Sequence, residues 1–272
     1  MYKLENDQLI VEIIDPIADQ HLLGTRYCTG GYIFQVTDRE LGPLLSGPTY
    51  PESFNVFDGQ GIPDAFNLAP IKDLNGQDSC ALIIGIGLCN TDKNTVESFC
   101  VWDINCGMQE ISFRTKQSLG PYSLILERKI QLGERTLNSE IKLSNDGEEP
   151  IELRWFPHPF YPQPNKDELC RFNTKISMPI NGGFELGQNG FISRKNWPNW
   201  EKGFYQILEH SDQNNLVILQ KHPVLGLVAA TCDYVPGFFP IWGNANTFSW
   251  EPFMECKVGI DEGRDWGITY EF

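Results

Sequence analysis

What this chain lacks bounds its chemistry first. No stretch approaches about 18 consecutive apolar residues, the length a membrane-spanning helix needs. Basic residues are scarce: 21 Lys and Arg stand against 36 Asp and Glu, for a formal net charge of −15. Such a chain has no electrostatic footprint for nucleic acid or for an anionic membrane surface. Histidine is scarcer still, with four residues, and no grouping of His, Asp and Glu has metal-ligand spacing. No glycine-rich phosphate loop precedes a helix. Neither a metal nor a cofactor is therefore expected. The eight cysteines, Cys28, Cys80, Cys89, Cys100, Cys106, Cys170, Cys232 and Cys256, are widely spaced without a Cys-x-x-Cys pair, which argues against zinc. Met1 to Glu12 carry charges throughout and offer no apolar run of the signal-peptide type. Reduced, mostly buried thiols and a cytoplasmic location are the corresponding expectations.

Helical signal is equally thin, because no segment sustains an apolar stripe at i, i+3 and i+4 with caps. What the chain does have is a period of two. Leu9–Ile14 and Gly31–Thr37 read as strands, and Cys80–Gly87 is short, apolar and glycine-punctuated. Ser123–Leu132 leads through Gly133-Glu134-Arg135 into Thr136–Leu143, a hairpin. Asn145-Asp146-Gly147 is a strong turn signal, and across it Ile151–Phe156 reads as the next partner strand. Asn215–Gln220 and Leu225–Ala230 flank a His222-Pro223 turn, and Thr247–Glu251 and Asp265–Phe272 complete the strands. Twenty-five glycines and 18 prolines fall between them, and 41% hydrophobic residues suffice for a core. These features predict one antiparallel all-β domain over residues 1–272. Its longest weakly structured segment, 41–79, is of a length that is often functional.

Two motifs carry chemistry. Trp155-Phe156-Pro157-His158-Pro159-Phe160-Tyr161 boxes a histidine between prolines and rings it with aromatics. Ser249-Trp250-Glu251-Pro252-Phe253 puts a carboxylate into a run that otherwise reads as buried strand. Histidine exchanges a proton near neutral pH, and burial would raise the pKa of Glu251 and make it a stronger base. The plainer alternatives are a structural histidine at a loop corner and an edge-strand glutamate facing water, as Glu255 reads. Trp155, Phe160, Tyr161 and Trp242 are candidate platforms for the apolar face of a sugar ring, while Trp250 reads as core. Arg154 is placed to hold a hydroxyl or an anion, and Asp64 to accept from hydroxyls. His21, His210 and His222 read as surface or turn residues.

The chain resembles the galactose mutarotase-like superfamily of aldose 1-epimerases and hexose-6-phosphate epimerases. The resemblance rests on Arg128…Thr136-Leu137…Leu143-Ser144-Asn145 running into Pro157-His158-Pro159-Phe160, and on Trp250-Glu251-Pro252-Phe253 before a last strand Glu262–Tyr270. A weaker echo of the sugar-phosphate branch is Gly59-Gln60-Gly61-Ile62-Pro63-Asp64-Ala65-Phe66. The resemblance implies a β-supersandwich and a sugar 1-epimerase without a cofactor, with His158 as general acid, Glu251 as general base and a small-molecule sugar as partner. The oligomeric state it implies is a monomer or a homodimer. The second histidine and the Asp-His dipeptide used by aldose 1-epimerases have no clear counterpart, which keeps a sugar-binding, non-catalytic domain open as an alternative. A hexose-6-phosphate epimerase would need a cationic pocket, and a glycosidase two carboxylates flanking the bond.

Overall fold

The computed structural model describes residues 1–72, 79–210 and 215–272. Part of the 41–79 segment, residues 73–78, therefore lies outside the described residues. Antiparallel strands dominate, and among the described residues the helical elements are two short 3₁₀ turns, Gln20–Leu22 and Trp200–Lys202. Among the described residues the largest sheet has ten strands. Its centre is the meander Glu110–Leu119, Tyr122–Leu132, Thr136–Asn145, closed by the last strand, Gly263–Glu271. Along Tyr122–Leu132 alternate residues Leu124, Leu126, Arg128, Ile130 and Leu132 are buried, the period-two pattern of a sheet with one covered face. The expected hairpin is present, with Leu132 opposite Leu137.

Smaller sheets pack against that covered face and build the site. Phe204–His210, Phe239–Gly243 and Thr247–Trp250 lie side by side in one of them. Ile151–Pro157 lies in another, between Met254–Val258 and the two-residue strand Asp64–Ala65. This corrects the expected pairing of Ile151–Phe156 with Thr136–Leu143. Asn145 does make the turn: its side-chain oxygen accepts from Gly147 N at 3.0 Å and its amide donates to Val258 O at 3.2 Å. The flanking edge of Thr136–Asn145 is already taken by Gly263–Glu271, so the chain leaves for a different sheet. One contiguous apolar core runs from Leu4 to Tyr270.

The Gly59–Phe66 segment lies alongside the histidine motif and supports it through the backbone. Gly61 N donates to Ser46 O and Gly61 O accepts from Phe160 N, while Pro63 O accepts from His158 N, all at 2.8–2.9 Å. Gly61 has φ +77°, and a β-carbon there would run into the carbonyls of Ile33 and Phe34. Glycine is required at that point by both conformation and space.

Candidate active site

His158 and Glu251 meet on the floor of a cavity of about 330 Å³. Nε2 of His158 is 3.4 Å from Oε1 of Glu251. His158 is 3% and Glu251 7% exposed. The histidine sits just past the end of Ile151–Pro157, with its amide spent on Pro63 O. Phe160 stacks on its imidazole at 4.3 Å between centroids, and Tyr27, Phe156 and Trp242 close the other sides at about 6 Å. Ser249, fully buried, places Oγ 2.8 Å from Nδ1. With Nδ1 occupied by that hydroxyl, Nε2 is the nitrogen turned toward Glu251.

Glu251 follows the end of Thr247–Trp250, and its amide donates to Pro240 O at 2.9 Å. Trp250 beneath it is fully buried, as its core assignment requires. Burial pushes the Glu251 carboxyl up to about 8, against the pull of nearby Arg26. Burial also holds the His158 imidazole well below its ordinary value, and Arg26 adds to that depression. A protonated glutamate beside a neutral histidine carries one exchangeable proton. A carboxylate beside an imidazolium carries the same number, so the two forms differ only by a shift of that proton between neighbouring atoms.

Of the aromatic candidates, Phe160 and Trp242 line the cavity. Trp155 does not: it is 1% exposed and packs edge-on against Tyr234 and Trp266. Tyr161 is likewise fully buried, tilted on Trp250. Trp155 is in the core because the strand Ile151–Pro157 is covered on both faces at its end, and Tyr161 because its own two-residue strand Tyr161–Pro162 pairs with Thr247-Phe248. Arg154 lies off the cavity as well, paired through Nε with Glu255 at 2.8 Å and lying over Phe253 at 5.0 Å. Asp64 is 4% exposed and forms a buried ion pair with Arg128. It faces the interior, and its carboxylate is consumed there. His222 belongs to its turn, as one of its two readings had it, but not to the surface. It is 2% exposed, with Nε2 2.8 Å from Leu44 O and Nδ1 accepting from the amides of Val224 and Leu225. It staples its own turn to the chain near Leu44. His21 is exposed, as its surface assignment requires.

The remaining lining came from segments that carry no local motif. Pro48, Arg26, Asp58, Lys202 and Tyr205 stand around the rim. Gly203, at φ +77°, lets the chain next to Lys202 approach the indole of Trp242 closer than any β-carbon would allow. No grouping of three or more His, Cys, Asp or Glu able to hold a metal occurs among the described residues. No helix there is long and apolar enough to cross a membrane. A larger concavity, about 510 Å³, lies over the large sheet. Its charges answer one another across the strands, Asp103 opposite Arg114, Arg114 opposite Glu127, Glu127 opposite Lys142 and Lys142 opposite Asp265. It holds no acid/base pair of the buried kind found in the smaller cavity.

No protein-family model matches this chain, and no curated protein matches it significantly. Solved structures do. A galactose mutarotase related enzyme from Lactobacillus acidophilus superposes with a TM-score of 0.65 at 13% identity, covering 99% of this chain and 96% of its own. A galactose mutarotase-like protein from Lactobacillus casei gives 0.59 at 12% identity, covering 100% and 99%. An aldose epimerase homologue from C. elegans gives 0.51 at 9% identity, covering 99% and 97%. At these identities the likeness is one of architecture, and it extends over nearly the whole of each chain. The protein therefore has the galactose mutarotase-like fold, an antiparallel β-sandwich with the His158–Glu251 cavity set between its smaller sheets.

Proposed function

We propose that the protein is an aldose 1-epimerase-like isomerase that interconverts the two anomers of a sugar. The observation that carries this reading is the pair itself: a buried imidazole nitrogen 3.4 Å from a buried carboxylate oxygen, on the floor of a cavity with aromatic walls. A hemiacetal offers two oxygens on one carbon, the C1 hydroxyl and the ring oxygen. Glu251 takes the proton from the hydroxyl while Nε2–H of His158 protonates the ring oxygen, and the C1–ring-oxygen bond breaks to give the open aldehyde. Rotation about C1–C2 presents the other carbonyl face, and the same two transfers in reverse close the ring as the opposite anomer. The proton gained by Glu251 equals the proton lost by His158, and the reverse steps restore both. The active form is the carboxylate–imidazolium arrangement of the pair's single proton. A bound sugar hydroxyl favours it by hydrogen-bonding to the charged carboxylate. Ser249 accepts from Nδ1–H and keeps Nε2 aimed at the substrate. Phe160 and Trp242 offer apolar faces for the C–H side of the ring.

The test is anomeric exchange in aldose solutions, followed by saturation transfer at the anomeric proton. Two positioned proton-transfer groups at about 10²–10⁴-fold each account for a large acceleration over the spontaneous rate. Glu251→Gln and His158→Asn should each abolish it almost completely while sugar still binds, because neither amide exchanges a proton. The double variant should be scarcely worse than either single one, since the groups act in one concerted sequence. A wild type that binds an aldose and leaves its exchange at the spontaneous rate would establish a binding domain instead.

A further inference from the structure

Between Pro48 and Asp58 the chain leaves the rim of the His158–Glu251 cavity and returns to it, since both of those residues line the cavity. The excursion closes on itself at its base, where a β-carbon on Gly47 would lie 2.8 Å from Gly59 O. That is the form of an Ω-loop. Its two ends are fastened to the body. Pro48 O accepts from the side-chain amides of Asn244 and Asn246 at 2.9 and 2.8 Å, and Asp58 O accepts from Tyr27 Oη at 2.9 Å. Between those ends the hydrogen bonds stay inside the loop. Ser53 N donates to Thr49 O, Thr49 Oγ1 to Ser53 O, and the amides of Phe57 and Asp58 to Asn55 Oδ1. Among the described residues, no hydrogen bond joins 49–56 to the chain outside this loop.

Apolar contact and one cation hold the middle of the loop. Phe54 meets Phe34 edge-on at 5.5 Å, and Val56 lies close to Gly24. Phe57 takes the Arg26 guanidinium over its ring at 4.8 Å, and its carbonyl accepts from Arg26 at 3.1 Å. The same guanidinium lies 5.1 Å from the ring centre of Tyr27, which stands edge-on to His158. Even so, Val56 is 38% and Phe57 54% exposed. Apolar side chains turned outward at a cavity rim, on a segment with few bonds to the body, form the weakly held kind of element from which closing motions are drawn. Arg26 acts on both floor residues, so the loop's grip on it reaches the acid/base pair. We infer that residues 49–57 are a lid: when an aldose fills the cavity, Phe57 folds over the mouth against the sugar, with Arg26 as the latch between loop and site. The inference rests on the epimerase reading for its occupant. Closure also meets a demand of that chemistry. The open-chain aldehyde must rotate about C1–C2 without escaping or taking up water, and a covered mouth prevents both.

Two measurements test it with the full chain. Backbone hydrogen exchange of Glu251→Gln is read by mass spectrometry with and without galactose, glucose or xylose, and titration calorimetry sets the occupancy. Peptides over 49–57 should exchange several-fold more slowly with sugar bound, while the exposed edge strand Asp103–Cys106 stays unchanged. In the second, Phe57→Ala is compared with the wild type by saturation transfer. Its kcat/KM for anomeric exchange should fall about tenfold, the effect of burying half a phenylalanine side chain on closure. Hydroxylamine added to the assay should also capture more open-chain sugar per turnover from the variant than from the wild type. An occupied cavity with exchange over 49–57 unchanged overturns the lid and leaves the epimerase reading standing. A Phe57→Ala variant as active as the wild type, and as retentive of its aldehyde, does the same. Protection of 49–57 in a protein that leaves anomeric exchange at the spontaneous rate keeps the lid, now on a binding domain, and overturns the epimerase. A chain that binds none of the three sugars loses both readings.

Discussion

Burial acts on Glu251 and His158 in opposite directions on the pKa scale and toward the same end, the neutral form of each. The pair therefore holds its single proton over a wide pH range. Base removes that proton only as pH passes the Glu251 value of about 8. Acid adds a second only well below the ordinary histidine value. Epimerisation needs one proton in the pair, so kcat/KM should be flat through neutrality, fall above about pH 8 and keep its acid limb well under 6.5. A pH–rate profile by saturation transfer checks this, and activity that rises steadily beyond pH 9 would contradict it. Both members of the pair were legible in the sequence because each breaks a local pattern: a histidine clamped by prolines, and a carboxylate inside an apolar run. Arg26, Asp58, Lys202 and Tyr205 were not. They come from separate segments, each unremarkable in itself, and only the packing of the sheets brings them to one rim.

The strand Ile151–Pro157 delivers His158, and the element that fixes its far end is the short strand Asp64–Ala65. Asp64 in turn is tied to Arg128 on the large sheet, with both side chains nearly inaccessible. Arg128 also reaches Ser139 Oγ at 3.2 Å and Gly30 O at 3.4 Å. The buried pair thus fastens the histidine's support to the opposite layer. Arg128→Met would strand the Asp64 carboxylate in the core and should cost about 3–5 kcal/mol in urea unfolding. Arg128→Met with Asp64→Leu should recover most of that loss, because apolar replacement of a whole buried pair is often neutral. A double variant as unstable as the single one would show that the hydrogen bonds to Ser139 and Gly30 matter more than the ion pair. Sequence alternation disclosed Tyr122–Leu132 and Thr136–Asn145 because one face of each is covered. It could not disclose the partner of Ile151–Pro157, since pairing within a β domain depends on which edges remain open. It also gave no hint that Arg128, on the buried side of its strand, awaited Asp64 some sixty positions earlier.

At the scale of the whole molecule, the layers share one hydrophobic interior. Trp155 of the histidine strand touches Trp266 of the last strand at 5.7 Å, and Trp250 beside Glu251 stacks on Tyr270 at 6.3 Å. The last strand itself lies inside the large sheet, between Thr136–Asn145 and Gly226–Cys232. Neither the site-bearing sheets nor the large sheet would keep a closed core if the other were removed. Three of the seven tryptophans, Trp155, Trp250 and Trp266, report directly on that shared boundary. We therefore expect one cooperative transition, in which tryptophan fluorescence and far-ultraviolet circular dichroism give the same urea midpoint and the same slope. The single-domain organisation expected from the sequence stands or falls on that coincidence. Fluorescence that changes at lower urea than the dichroism would mean that the site layer separates first. His158 and Glu251 would then be held by a locally fragile element, and anomeric exchange should disappear with the fluorescence change while most strand signal remains.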